Sequence, residues 1–294
     1  MDESNWLAQR FEENRGHMRG VAYRMLGSLS EADDAVQEAW LRLSRSDPSS
    51  IQNLSGWLTT VVARVCLDML RSRKSRGEES LDERMTDPVA NKAAPTDPEQ
   101  EVLLADSVGI ALLVILDRLT PAERLAFVLH DIFAVSFEEI ATIVGRTPTA
   151  ARQLASRARR RVQGTDSVPS ASHSEQREVV YAFLAALRRG DVEGLLSVLD
   201  PDVLVKVDEG AGRPGGPREI RGARNWAKGA IAFSQHARFA QAALVDGAVG
   251  AVFAPRGKLF SVLSFTITHG KIVQVDVIAS PARLREIDLA VLGG

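Results

Sequence analysis

The sequence predicts a multidomain chain: two all-α units, the second with a helix-turn-helix, followed by an α+β domain. Three observations predict it. Residues 136–162, SFEEIATIVGRTPTAARQLASRARRRV, form two short helical patterns broken at Gly145, and the second is strongly basic. Residues 77–106 change character and collect Asp87-Pro88, Ala94-Pro95 and Asp97-Pro98. From His173 onward, two amphipathic helices give way to strand-like segments.

The first unit spans residues 5–76. VAYRMLGS closes one helix. Ser30, with Asp33 three residues on, caps the next, whose Ala32, Val36, Ala39, Trp40 and Leu43 form one apolar stripe. The loop SRSDPSSIQN breaks this helix at Pro48. Ser55 then caps a longer helix, GWLTTVVARVCLDMLRSRKSR, with Trp57, Val61, Val65 and Leu67 inward.

Residues 77–106 form a linker, because a residue before proline avoids the α region. It holds nine acids against Arg84 and Lys92, a net charge of −7. A solvated strap is the default for such composition.

The second helical unit spans residues 107–163. Thr120-Pro121-Ala122-Glu123 is a capping box with proline in the first turn, and it starts the helix PAERLAFVLHDIF. Ser136 with Glu139 is a second capping box, and Ile140, Ile143 and Val144 follow on one face. Gly145 suits a left-handed helix end, Thr147 caps the next helix and Pro148 fits its first turn. That helix carries Arg152, Arg157, Arg159, Arg160 and Arg161 and no acid, and it opens on the small residues Thr149, Ala150 and Ala151. Such a layout places a recognition helix in the major groove of DNA. The alternative is a helical hairpin with a solvated basic face.

After a short linker, residues 164–172, the third domain spans 173–294. SEQREVVYAFLAALRRG is a helix ended by Gly190, and Asp191 caps DVEGLLSVLD. VLVKV, RFAQAALV, GAVGAVFA, KLFSVLSFTIT and KIVQVDVIA follow as strands, with Asp246-Gly247 and His269-Gly270 as turns. A curved antiparallel sheet behind two helices is expected.

The bulk numbers exclude more than they identify. At 294 residues, 45% hydrophobic, 25% charged and net charge −2, composition is that of an ordinary globular protein. One cysteine, Cys66, allows neither an internal disulfide nor a cysteine-rich zinc site. No apolar run approaches the roughly 18 residues of a membrane span, and the N-terminus MDESNWLAQRFEENR lacks a signal-peptide core. A cytoplasmic protein with no metal and no cofactor is expected.

Taken together, residues 5–163 resemble an extracytoplasmic-function sigma factor, a promoter-recognition subunit of bacterial RNA polymerase. ADDAVQEAWLRL is similar to the helix that docks on the polymerase clamp. GWLTTVVARVCLDMLRSRK is similar to the helix that reads and melts the minus-ten element. LDRLTPAERLAFVLHDIFAVSFEEIATIVG and TPTAARQLASRARRRV are similar to the domain that binds the minus-thirty-five element. AFLAALRRGDVEGLLSVLDPDV and GKIVQVDVIASPARLREI resemble the SnoaL-like fold, an α+β cone-shaped barrel. Sigma factors with such an extension form groups in which it is thought to regulate the sigma core within one chain. The WLPEP linker motif of the best-known group is missing here, its glycine-rich motif is matched only by Asp208-Glu209-Gly210-Ala211-Gly212, and its last motif loosely by SPARL.

The resemblance implies two partners: promoter DNA, and core RNA polymerase through its β′ clamp and β flap. It also implies the site residues. Asp34, Gln37, Glu38 and Leu41 would dock on the clamp. Asn53, Trp57, Arg64, Arg71, Arg73 and Lys74 would contact the minus-ten element, Trp57 by stacking on an unpaired base and the cations by gripping phosphates. The loop 46–53 would pocket a flipped base with Ser46, Ser49, Ser50, Gln52 and Asn53. In the recognition helix, Thr149, Arg152, Gln153 and Ser156 are the base-reading candidates, with Arg157 and Arg160 on phosphate; Arg152 can pair bidentately with guanine and Gln153 with adenine. The acidic linker would follow the polymerase's RNA path. In the third domain Asp208, Trp226, Phe233, His236 and Asp276 are candidates for lining a pocket for an unidentified small ligand. Two other functions stay open at this point. One is a cyclase or isomerase of the SnoaL type fused to a DNA-binding module. The other is a polymerase-independent repressor with a sensor domain.

Overall fold

The structure is a computed structural model that describes residues 3–46, 51–76, 109–164, 171–209, 218–231 and 234–292. The linker expected at 77–106, and all but the ends of that at 164–172, lie outside the described residues. These residues divide into two compact units. The first holds residues up to 76 together with 116–160; the second holds 109–115 and everything from 161.

In the first unit, α1 (Glu3–Leu26), α2 (Leu29–Leu43) and α3 (Leu54–Arg76) pack on one another. Gly27 at φ 75° ends α1, and Ser28 caps α2 by accepting from the Glu31 N–H at 3.5 Å. The expected cap, Ser30, is already inside the helix, because the left-handed glycine turns the chain two residues earlier. Ala32, Val36, Ala39 and Leu43 are buried as expected, and Trp40 packs edge-on against Phe11 at 5.0 Å. The cap of α3 is likewise Asn53 and not Ser55: its Oδ1 accepts from the Gly56 N–H at 3.0 Å.

The helix-turn-helix follows α4 (Ile110–Asp117) and α5 (Pro121–Phe127). The expected single helix over PAERLAFVLHDIF does not run through; residues Val128–Ile132 form a π-turn, and the left-handed Ala134 (φ 55°) ends it. α6 (Phe137–Val144) has its Ser136–Glu139 capping box, and Gly145 ends it at φ 69° and ψ 42°. Thr147 Oγ1 accepts from the Ala150 N–H at 3.2 Å and starts α7 (Pro148–Gln163). Ala151, Ala155, Ala158 and Val162 bury one side of α7.

The second unit is built on a seven-stranded sheet in the order β2-β1-β6-β5-β4-β3-β7. Its strands are β1 (Leu199–Val207), β2 (Arg218–Arg221), β3 (Ala240–Val245), β4 (Ala248–Phe253), β5 (Ser261–Thr268), β6 (Lys271–Ile278) and β7 (Leu289–Ala290). The helices α8 (Ala171–Arg189), α9 (Val192–Val198) and α10 (Ala223–Ile231) cover one face, and α11 (Pro281–Glu286) follows β6. Asp246-Gly247 and His269-Gly270 turn the hairpins with φ between 49° and 80°, the left-handed pair that a two-residue hairpin requires. Three features depart from the expectation. β1 and β6 are parallel, so the sheet is mixed. The sheet does not close: β2 and β7 are its edges. Both are too short for an alternation signal, and Arg238 and Phe239 belong to a 3-10 turn before β3. The core is packed around Phe183, whose ring stacks on Trp226 at 5.5 Å and meets Phe265 edge-on at 5.3 Å.

Candidate nucleic-acid interface

On α2 the apolar stripe turns Asp34, Gln37 and Leu41 outward, and Leu41 is 39% exposed although it is leucine. Glu38 is half-buried and accepts from Arg42 Nε at 2.9 Å. Asp33 stands apart from them in a two-pronged pair with Arg19, at 2.7 and 3.0 Å.

On α3 the periodicity that buries Leu58, Val62, Cys66 and Leu70 exposes Arg64, Arg71 and Lys74. Arg73 is withdrawn into an ion pair with Glu31 of α2. Trp57 is half-buried, and Asn53 is engaged as the helix cap. Ser49 and Ser50 lie outside the described residues; Gln52 is exposed and Ser46 donates to the Leu43 carbonyl.

α7 brings its candidates together. Thr149, Arg152, Gln153, Ser156, Arg157 and Arg160 are all exposed on the side opposite the buried alanines. Arg152 lies 5.1 Å over the Phe137 ring. Arg157 is 3.5 Å from Glu123, and Arg159 donates to Asp131 at 2.7 Å. These acids were not predicted as partners. They lie well before α7 in sequence, and only the fold brings them near it.

Of the five candidates in the second unit, three have described side chains, and Trp226 lies apart from Asp208 and Asp276. Trp226 is buried in the core stack. Asp208 accepts from the Ala279 and Ser280 N–H groups at 2.9 Å each and sits 3.7 Å from Arg283, so it holds the entry to α11. Asp276 accepts from Gln274 at 2.8 Å. Asp208 and Asp276 do share the lining of a cavity of about 350 Å3, with Lys206, Val207, Arg218, Glu219 and Arg283. Phe233 and the His236 side chain lie outside the described residues. No group of His, Cys, Asp and Glu among the described residues can hold a metal ion, and no described helix is long and apolar enough to cross a membrane.

Two buried groups show how dry the first unit is. Burial pushes the Cys66 thiol up to about 12. Burial also lowers the pKa of Arg124, against the opposing attraction of Asp117.

Comparison with known proteins agrees with this layout. Residues 10–76 match Sigma-70 region 2, and residues 110–162 match Sigma-70, region 4. The chain is 38% identical over 289 residues to the ECF RNA polymerase sigma factor SigJ of Mycobacterium tuberculosis, covering 92% of this chain and 91% of that protein. It is 34% identical over 301 residues to the probable ECF RNA polymerase sigma factor SigI of the same species, covering 100% of both. The crystal structure of SigJ is also similar, with 31% identity, 95% of this chain and 98% of that chain covered, and a TM-score of 0.45. The two sequence alignments, over 289 and 301 residues, cannot stop at residue 163, so they take in the α+β domain as well. The chain belongs to the extracytoplasmic-function sigma factors, which are not enzymes but bind core RNA polymerase and promoter DNA to start transcription.

Proposed function

We propose that the chain divides its work as follows. Residues 5–76 dock on the polymerase and read the minus-ten element. Residues 107–163 read the minus-thirty-five element, and 173–294 modulate both within the same chain; 77–106 and 164–172 link them. Asp34, Gln37, Glu38 and Leu41 meet the β′ clamp, and region 4 engages the β flap. Arg64, Arg71 and Lys74 grip phosphates, joined by Arg73 once it leaves Glu31, while Asn53 and Trp57 face the opened strand. Thr149, Arg152, Gln153 and Ser156 face base edges, with Arg157 and Arg160 on phosphate.

The observation that carries this reading is α7. One side is alanine and buried, the other presents six polar or cationic side chains to solvent, and a left-handed glycine sets it against α6. Modulation by the third domain is supported by two contacts. Gln241 Oε1 accepts from the Ala111 N–H at 2.8 Å, and the Val291 N–H donates to the Val162 carbonyl at 2.8 Å. The first turn of α4 and the last turn of α7 are therefore both tied to it.

The test is transcription in vitro with core polymerase, using the full chain, a chain ending at Gly164, and the double variant Asp34→Arg, Glu38→Arg. The double variant is expected to lose core binding and activity together; unchanged activity would sink the docking assignment. The shortened chain is expected to bind core polymerase with altered promoter output. Identical output with and without residues 165–294 would remove the modulating role.

A further inference from the structure

We infer that Phe137, with His130 behind it, is a positioning residue for promoter recognition. It holds the Arg152 guanidinium ready at the start of the recognition helix before DNA arrives. This rests on the proposed base-reading role of Arg152.

Both other side chains meet the Phe137 ring. The His130 and Phe137 rings are 3.9 Å apart at 30°. Arg152 lies on Phe137 at 5.1 Å. Each side chain is fixed independently. The π-turn carries His130, and its Nδ1–H donates to the Val135 carbonyl at 3.0 Å. The Ser136–Glu139 capping box sets the backbone on either side of Phe137. The left-handed turn at Gly145 then brings α7 back, so that Arg152 meets a ring fifteen residues before it.

Phe137 is only half-buried, in the first turn of a short helix where a polar residue would serve the helix as well. Its large ring is explained by what lies on it. A cation–π contact spends none of the guanidinium's hydrogen-bond donors on an acid, so they can still meet a base edge. Arg157 and Arg159 differ, because their charges are directed at Glu123 and Asp131. Arginine also has among the largest rotamer entropies of any side chain, and restraint before binding removes part of that cost from the binding step. A bidentate guanine contact, which needs one fixed guanidinium plane, gains most from it.

The experiment uses the full chain with core polymerase on a template library randomised over the minus-thirty-five element. It compares Phe137→Leu, Phe137→Tyr, Arg152→Ala and the double variant Phe137→Leu, Arg152→Ala. Arg152→Ala is expected to flatten the base preference at particular positions. Phe137→Leu is expected to flatten the same positions by about two- to fivefold, the scale of an exposed cation–π contact, and Phe137→Tyr to restore them. The double variant should match Arg152→Ala alone. The salt dependence of promoter binding should stay unchanged in Phe137→Leu, since no phosphate contact is lost. The inference is overturned if Arg152→Ala flattens the profile while Phe137→Leu leaves it intact or lowers output evenly at every sequence. If Arg152→Ala alters no position, the base-reading assignment itself is wrong and the inference falls with it.

Discussion

Arg124 donates its Nε–H to the backbone carbonyl of Arg24 at 3.0 Å, across 100 residues of sequence. That carbonyl lies in the last turn of α1, where helix carbonyls have no partner of their own, and a cation is well placed there against the helix dipole. The side chain is 3% exposed, its Nη1 is 3.3 Å from Asp117, and its buried Nη2 has no acceptor among the described residues. A buried charge with an unmatched donor is costly, and apolar replacements of similar volume are often neutral. Arg124→Met is therefore expected to change stability by less than about 1 kcal/mol, whereas Arg124→Ala should cost about 2–4 kcal/mol through the cavity it leaves. Chemical denaturation of the two variants checks this, and equal losses would contradict it.

The same seam brings region 2 and region 4 together. Phe133 meets His17 edge-on at 5.1 Å and lies under the Arg24 guanidinium at 5.3 Å. A compact body of on the order of 120 residues has a radius of gyration of about 13 Å. Elements at minus ten and minus thirty-five lie about 25 base pairs apart, roughly 85 Å of duplex at about 3.4 Å per pair. If residues 5–76 and 107–163 read these two elements as proposed, one closed unit cannot span that distance, and the seam is expected to open on a promoter. Dyes at Glu12→Cys and Glu138→Cys are expected to move apart when the chain joins core polymerase and promoter DNA. Buried Cys66, its thiol pushed up to about 12, should stay unlabelled. Unchanged energy transfer in the bound state would refute the opening.

His17 gives the first unit a pH dependence. Burial holds its pKa below the ordinary 6.5, and Nε2 hydrogen-bonds to the Thr59 hydroxyl at 3.1 Å. The unfolded chain therefore binds the proton more readily, and the stability contributed by neutral His17 is complete above about pH 6.5. It falls as pH drops from there toward the folded-state value. Denaturation midpoints measured between about pH 7.5 and 5 should decline. The decline should be smaller in His17→Gln; an equal slope in both proteins would assign it elsewhere.

Salt titration separates grip from reading. Arg71 and Lys74 are exposed on α3, and each phosphate contact steepens the dependence of log K on log salt by about 0.7 on single strands and 0.9 on duplex. Replacing both by alanine should lower the slope by about 1.4–1.8 with no change in base preference. A changed preference with an intact slope would reverse their assignment.

Trp226 should behave as core. Stacked on Phe183 in the second unit, it is expected to cost about 3–5 kcal/mol when changed to alanine and to unfold that unit first. A stably folded Trp226→Ala protein would count against this.

Much of the first unit was legible because its signals are local. Both capping boxes and the glycine turn depend on residues three or four apart, the range over which a helix couples its own side chains, whereas Ala151, read as a small residue facing outward at the start of α7, is buried. The caps of α2 and α3 were misplaced by two residues, since Ser28 and Ser30 both fit a cap and the choice was made by where α1 ends. The π-turn was illegible: VLHDI reads as ordinary helix, and the left-handed Ala134 that unwinds it carries no signal of its own.

The sequence alone determined α2, α3, α6, α7, α8 and α9 and the two hairpin turns, because periodicity and φ preference act within a few residues; α10, α11 and the π-turn it did not show. Only the tertiary structure decided that Asp208 holds the turn before α11, that β1 lies parallel to β6, that Trp226 belongs to a core, and that Phe137 sits under Arg152. Those relations join residues 15 to about 70 positions apart, and at such separations it is the packing of whole elements, and no local preference, that selects the neighbour.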